Sequence, residues 1–261
     1  MYLASDSPAV YGMILAIGRT GVGKTHFLCS CPHPFIINAD RKEAETAKKF
    51  SNLHGKAVPL YDVNSWGDMQ KIVRWFEDAA NKGQAELDDA VLRKKEGALE
   101  AFHVTFDEKT ELPISTICLD GLTDLYDMLM DDIRKRDGTT LDGPTHPGQY
   151  QRAHNQFEGM MHRLRKLPFH IVCAGMEHVD KDELTGDVRG GVDLPGKMGV
   201  KSDRLIKMFN AIVRLQSQTS SKGTKYTMNV RGDHRYPGKC EFFEHPEAVI
   251  EPTFAALMGE E

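Results

Sequence analysis

Gly18-Arg19-Thr20-Gly21-Val22-Gly23-Lys24-Thr25 spells a complete G-x-x-x-x-G-K-[ST] loop. The apolar run Met13 to Ile17 precedes it, and Thr25 to Ser30 can open a helix behind it. Strand, glycine-rich turn and helix in that order commit the chain to an α/β fold, because a parallel sheet needs such crossovers. Backbone N–H groups in a turn of this kind converge on phosphate oxygens, and the helix N-terminus adds its positive dipole end. Lys24 is expected to reach the β- and γ-phosphates, and the Thr25 hydroxyl to hold Mg²⁺. The expected nucleotide-binding set is Gly18, Arg19, Thr20, Gly21, Val22, Gly23, Lys24, Thr25 and His26, with ATP and Mg²⁺ as cofactors.

The chain has 261 residues, 40% of them apolar, which suits one α/β domain with insertions rather than two full domains. A net charge of −5 announces neither nucleic acid nor an anionic membrane, so any DNA contact must come from a local patch. The five cysteines (Cys29, Cys31, Cys118, Cys173, Cys240) show no C-x-x-C spacing and read as buried thiols of a reducing cytoplasm. No apolar run of membrane-spanning length and no signal-peptide pattern is present, so the expectation is a cytoplasmic protein.

Along the chain, Pro34 to Ala39 reads as a second buried strand ended by Asp40. Ala44 to Phe50 reads as helical, and Val58 to Val63 as a short strand. Asn64 or Ser65 then caps a helix, with Asp68 placed for a capping box and Trp66, Met69, Ile72, Val73 and Phe76 on one face. Residues 82–104 are charge-rich and read as an exposed helical segment, part of an insertion over about 82–112. Ile114 to Asp120 is a strand ending in a carboxylate, followed by the helical face Leu122, Leu125, Tyr126, Leu129 and Ile133. Residues 134–149 and 177–202 read as long loops on either side of a helix and a strand, Phe169 to Gly175. Phe209 to Gln216, Lys225 to Arg231 and Cys240 to Phe243 read as an antiparallel extension, with a short tail after about 246. The expected fold is therefore a mostly parallel sheet flanked by helices, with a C-terminal antiparallel extension, as one domain over 1–261.

A P-loop site needs an acidic residue at the end of a neighbouring strand to complete the Mg²⁺ shell, and Asp120 stands there. The next residue is Gly121, where a helicase-loader-like AAA+ switch usually carries a glutamate, so a water-activating acid must come from elsewhere.

The order of these parts resembles RecA-like P-loop ATPases. The closer resemblance is to small phage-encoded RecA-like proteins that act in single-strand annealing and recombination. Gly18 to Thr25, Leu119-Asp120-Gly121-Leu122-Thr123, Leu167 to Val172, Asp193-Leu194-Pro195-Gly196-Lys197 and Val213-Arg214-Leu215 carry it, over most of residues 10–245. The resemblance implies a RecA-like P-loop core with the catalytic acid at Asp40, at the end of the strand after the P-loop helix. It implies a γ-phosphate sensor at Glu177 or His178, with Met176 as the other residue in reach of that position. It implies that Arg231 and Arg235 enter a neighbour's ATP site within a filament or ring. It places DNA contacts in the two long loops, with Arg189, Lys197, Lys201 and Arg204 as the basic residues. The partners it implies are single-stranded DNA, further copies of the chain and a single-strand-binding protein, in a host cytoplasm if the source is a phage.

Two other classes fit the loop. A nucleotide or metabolite kinase would need an acceptor pocket and an arginine-rich lid, and only Arg134, Lys135 and Arg136 suggest one. An assembly protein that binds ATP with little turnover fits an aspartate, rather than a glutamate, at position 40.

Overall fold

A computed structural model describes residues 11–40, 44–55, 58–93, 102–107, 110–140, 143, 145–181, 188–194, 207–221, 223–233, 235–242, 244–245 and 247–259. In chain order the first half contains β1 (Met13–Gly18), α1 (Lys24–Cys29), β2 (Pro34–Asn38), α2 (Ala44–His54), β3 (Leu60–Asp62) and α3 (Trp66–Arg93). A hairpin of β4 (Phe102–Asp107) and β5 (Thr110–Ile114) follows, then β6 (Thr116–Asp120), α4 (Leu122–Arg136) and α5 (Pro147–Arg165). The second half adds β7 (His170–Lys181), β8 (Val188–Val192), β9 (Ala211–Ser220) and β10 (Gly223–Asn229). It closes with β11 (Lys239–Cys240), β12 (Val249–Ile250) and the helix Phe254–Met258, here α6.

The main sheet runs β12-β10-β9-β1-β7-β6-β2-β3, with β8 on β7 and β11 on β9. Strands β9, β1, β7, β6, β2 and β3 pair in parallel, and β10, β11 and β12 add antiparallel pairs at the C-terminal end. Both faces of β1, β2 and β6 are buried, as expected of strands inside a parallel sheet. Met13, Leu15 and Ile17 of β1 enter one core with α3, α4 and α5, while Ile14 and Ala16 enter the other with α1 and α6. Ser65 caps α3 through its hydroxyl, which accepts from the Asp68 amide at 3.1 Å, and Asn64 N donates to the Asp68 carboxylate at 3.3 Å. His146 and Gln149 make the matching capping box on α5.

The structure corrects several sequence-based boundaries. Helix α3 spans Trp66–Arg93, and residues 102–104 are strand and not helix. The alternation Phe102, Val104, Phe106 is a strand period, and Val104 is 1% exposed in the core. The stretch 177–202 does not begin as a loop, because β7 runs on to Lys181 and pairs with β8. Strand β9 joins β1 in parallel, so the antiparallel extension starts one strand later than the alternation of turns suggests. The segment after 246 holds β12 and α6, with Phe254 and Leu257 buried in the core rather than trailing as a tail.

Candidate nucleotide-binding site

Gly23 ends the loop with φ 91° and caps α1, a left-handed conformation that glycine adopts without strain. Lys24 Nζ donates to the carbonyl oxygens of Gly18 at 3.0 Å and Arg19 at 2.9 Å, and lies 3.4 Å from Met176 Sδ. The ammonium is therefore held over the loop. The Thr25 hydroxyl, buried at the start of α1, donates to Asp120 Oδ2 at 2.8 Å. β7 lies between β1 and β6 in the sheet, and Ala174 is in register with Asp120, so this pair closes across the middle of β7.

Gly121 explains why no second acid follows Asp120. Its φ is 91°, and a Cβ there would meet Asp124 Oδ2 at 2.8 Å and the Asp40 amide nitrogen at 3.1 Å. The close approach of β2 and β6 leaves no room for a side chain. The same approach brings Asp40 beside Asp120, where Asp120 O accepts from the Ala39 amide at 2.9 Å. Asp40, Asp120 and Asp124 all line one cleft of about 720 Å³ with Thr20, Lys24 and Thr25. The sequence reading passed over Asp124. Its signal was its place one helical turn after Asp120, on the first turn of α4.

Midway along β7 the structure separates three candidates that the sequence left together. Ala174 and Met176 line the cleft. Glu177 falls on the other side of the strand, as the two-residue period demands. Its side chain is 2% exposed and pairs with Arg214 at 2.7 Å, whose guanidinium lies 3.6 Å over the Tyr236 ring. His178 sits at the surface near Asp193, at 3.7 Å. Beside Lys24 the cleft thus presents Met176 rather than Glu177 or His178.

Arg231 donates to the His245 carbonyl at 2.5 Å, and the Arg235 carbonyl accepts from the Gly190 amide at 2.7 Å. Neither arginine lines the cleft of its own chain. Arg189 is exposed on β8. Lys197, Lys201 and Arg204 lie outside the described residues. His26 lines the cleft, and burial together with the neighbouring His54 holds its pKa below the usual imidazole value.

The donor set fits Mg²⁺. A hydroxyl and carboxylates are hard oxygen ligands, and Mg²⁺ is commonly held by one or two carboxylates with substrate phosphates and water completing the shell. Among the described residues no helix is long and apolar enough to cross a membrane.

A family model described as an AAA domain matches residues 11–241. No curated protein matches the chain. Among solved structures, the crystal structure of the flagellar accessory protein FlaH from Methanocaldococcus jannaschii is similar at 11% identity. The match covers 91% of this chain and 83% of that one, with a TM-score of 0.42.

Proposed function

As this chain belongs to the AAA domain family, we propose that it binds and hydrolyses ATP and couples that turnover to single-stranded DNA in a RecA-like manner. The observation that carries the ATPase part is the Thr25–Asp120 hydrogen bond of 2.8 Å beside Lys24. It joins the phosphate loop to the strand-end acid that a nucleotide-hydrolysing core requires.

In this reading the loop amides and Lys24 bind the phosphate chain. Lys24 exchanges the Gly18 and Arg19 carbonyls for phosphate oxygens. Thr25 and Asp120 would hold Mg²⁺, which would supply charge neutralisation at the phosphates. Asp40, at the cleft end of β2, orients the attacking water and accepts its proton. Asp124 stands next to it as the alternative base.

The DNA part rests on the hairpin of β7 and β8. The Asp193 amide donates to the Met176 carbonyl at 2.7 Å, and the Thr123 hydroxyl donates to the Asp193 carbonyl at 2.6 Å. These bonds connect the γ-phosphate end of the cleft to the segment that carries Arg189 and leads to Lys197 and Lys201. In the resemblance to RecA-like proteins this segment faces DNA.

ATP hydrolysis with and without single-stranded DNA, at two salt concentrations, tests the proposal. Stimulation that fades with salt supports it, because phosphate contacts release counterions. Hydrolysis indifferent to DNA removes the DNA part and leaves the ATPase. A second reading, an assembly that binds ATP with slow turnover, is favoured by one observation. Met176 occupies the sensor end of the cleft, and a thioether gives a phosphate oxygen no hydrogen bond. Assemblies that form with ATP and turn it over negligibly would support that reading.

A further inference from the structure

The phosphate loop occupies one end of the cleft. The cleft encloses about 720 Å³, within the roughly 300–1,000 Å³ usual for organic ligands. It has room for more than a phosphate chain, and away from the loop its lining mixes apolar side chains with Lys49 of α2 and Glu251. Thr46, Phe50 and Leu53 of α2 line it at positions i, i+4 and i+7, so one face of this helix is turned to the cleft. Tyr226 of β10 and Pro252 before α6 line it as well. Helix α2 joins β2 to β3 at one edge of the sheet, and β10 and β12 form the other edge, with the loop after β1 between them.

Leu53 is 77% exposed and Tyr226 44% exposed, two of the few large apolar side chains that the described residues leave in solvent. Both belong to this one cleft. Exposed apolar area concentrated in a concave site marks a surface that a ligand covers. Both walls are also held in place. Phe50 packs edge-on against His26 at 4.9 Å and lies tilted against His54 at 4.3 Å. The Phe254 amide donates to Ser30 Oγ at 2.9 Å, tying the segment around Pro252 to the end of α1. Thr253 Oγ1 accepts from the Ala256 amide at 3.1 Å, which caps α6. The Tyr226 ring would lie 3.5 Å from a Cβ on Gly23, so it stands directly beside the loop.

We infer that the base of the bound nucleotide is seated between Leu53 on α2 and Tyr226 with Pro252, and that this seat favours purines. The inference rests on the nucleotide reading above and adds the part of the ligand that the phosphate loop does not read. A purine covers more apolar surface than a pyrimidine, so ATP and GTP bind more tightly than CTP and UTP. It also makes the C-terminal segment a wall of the nucleotide site.

Calorimetric titration of the full chain with Mg²⁺ and ATP, CTP or inorganic tripolyphosphate tests this. The variants are Leu53→Ala and Tyr226→Ala, both at exposed positions and neither adding a charge to the cleft. The expected result is ATP affinity about tenfold weaker in each variant, with tripolyphosphate affinity unchanged and the preference for ATP over CTP reduced. Retained tripolyphosphate binding shows that the variants are folded. Unchanged ATP affinity in both variants overturns the seat and leaves the nucleotide reading standing, as does equal affinity of the unsubstituted chain for ATP and tripolyphosphate. Failure of the unsubstituted chain to bind any of the three overturns both.

Discussion

The Thr25 hydroxyl donates a hydrogen bond of 2.8 Å to Asp120 Oδ2, across 95 positions of sequence. The two residues start from strands that are not neighbours, since β7 separates β1 from β6. Their meeting is a product of sheet order, and it assembles the hard-oxygen site next to Lys24. Lys24→Ala removes the cation over the loop while leaving both cores untouched. ATP hydrolysis should fall by at least about 100-fold, and stability should stay within about 0.5 kcal/mol of the parent. Steady-state turnover with a urea melt checks both parts, and undiminished turnover would sink the assignment of the loop.

Asp40 and Asp124 both line the cleft, and the proposed mechanism gives the general-base role to Asp40. Asp40→Asn keeps size and hydrogen bonding but cannot take a proton. If Asp40 is the base, kcat drops by about 100-fold or more with ATP affinity little changed. The same loss in Asp124→Asn, with Asp40→Asn active, would move the role to α4. Single-turnover hydrolysis beside a binding titration separates the outcomes.

Glu177 should behave as a structural residue. Its carboxylate is 2% exposed and tied to Arg214, which stacks over Tyr236. Glu177→Ala leaves Arg214 without its carboxylate partner and should cost about 2 kcal/mol of stability. ATP turnover per folded molecule should persist. A large loss of turnover without loss of stability would restore Glu177 as the sensor.

His170 should make the fold acid-sensitive. It is 2% exposed, and its Nδ1 accepts from the Gly12 amide at 3.3 Å. Burial pushes its pKa from 6.5 down to about 4. The unfolded chain therefore binds this proton more readily than the folded one. The contribution to stability is complete above pH 6.5 and is lost as pH falls toward about 4, amounting to about 3 kcal/mol. His170→Asn keeps an acceptor and should flatten this slope, as denaturation midpoints between those pH values will show.

The segment after β8 carries the DNA prediction. Lys197→Ala with Lys201→Ala should weaken single-stranded DNA binding and lower the salt slope by about 1.4, at about 0.7 for each lost phosphate contact. ATP binding should be unchanged. Fluorescence anisotropy over a salt series measures the slope, and parent-like affinity would remove this segment from the DNA surface.

Much of the fold was legible because its signals are local. The strand–loop–helix at Met13 to Ser30, the capped helix at Ser65 and the apolar strand ending at Asp120 are read from adjacent residues. Boundaries failed where tertiary pairing overrode local composition. The glycine-rich stretch after Glu177 resembles a loop, yet Glu177 to Lys181 pairs with Val188 to Val192. The 102–107 strand hides in a charge-rich stretch and is recovered only because Val104 reaches the core. The segment after 246 is too short to announce itself, and it counts only because it docks on α1.

By itself the sequence determined the phosphate loop, its lysine and threonine, and the acid that must end a neighbouring strand. These follow from backbone conformation and residue chemistry within a few positions. Only the tertiary structure decided which side chains from other elements stand around the loop. Strand parity turned Met176 toward Lys24 and Glu177 toward Arg214. The approach of β2 to β6 required Gly121 and set Asp40 beside Asp120. Sheet order brought Leu53 from one edge and Tyr226 from the other to the same cleft. Such choices depend on register and strand order, which are properties of the packed sheet and not of any short segment.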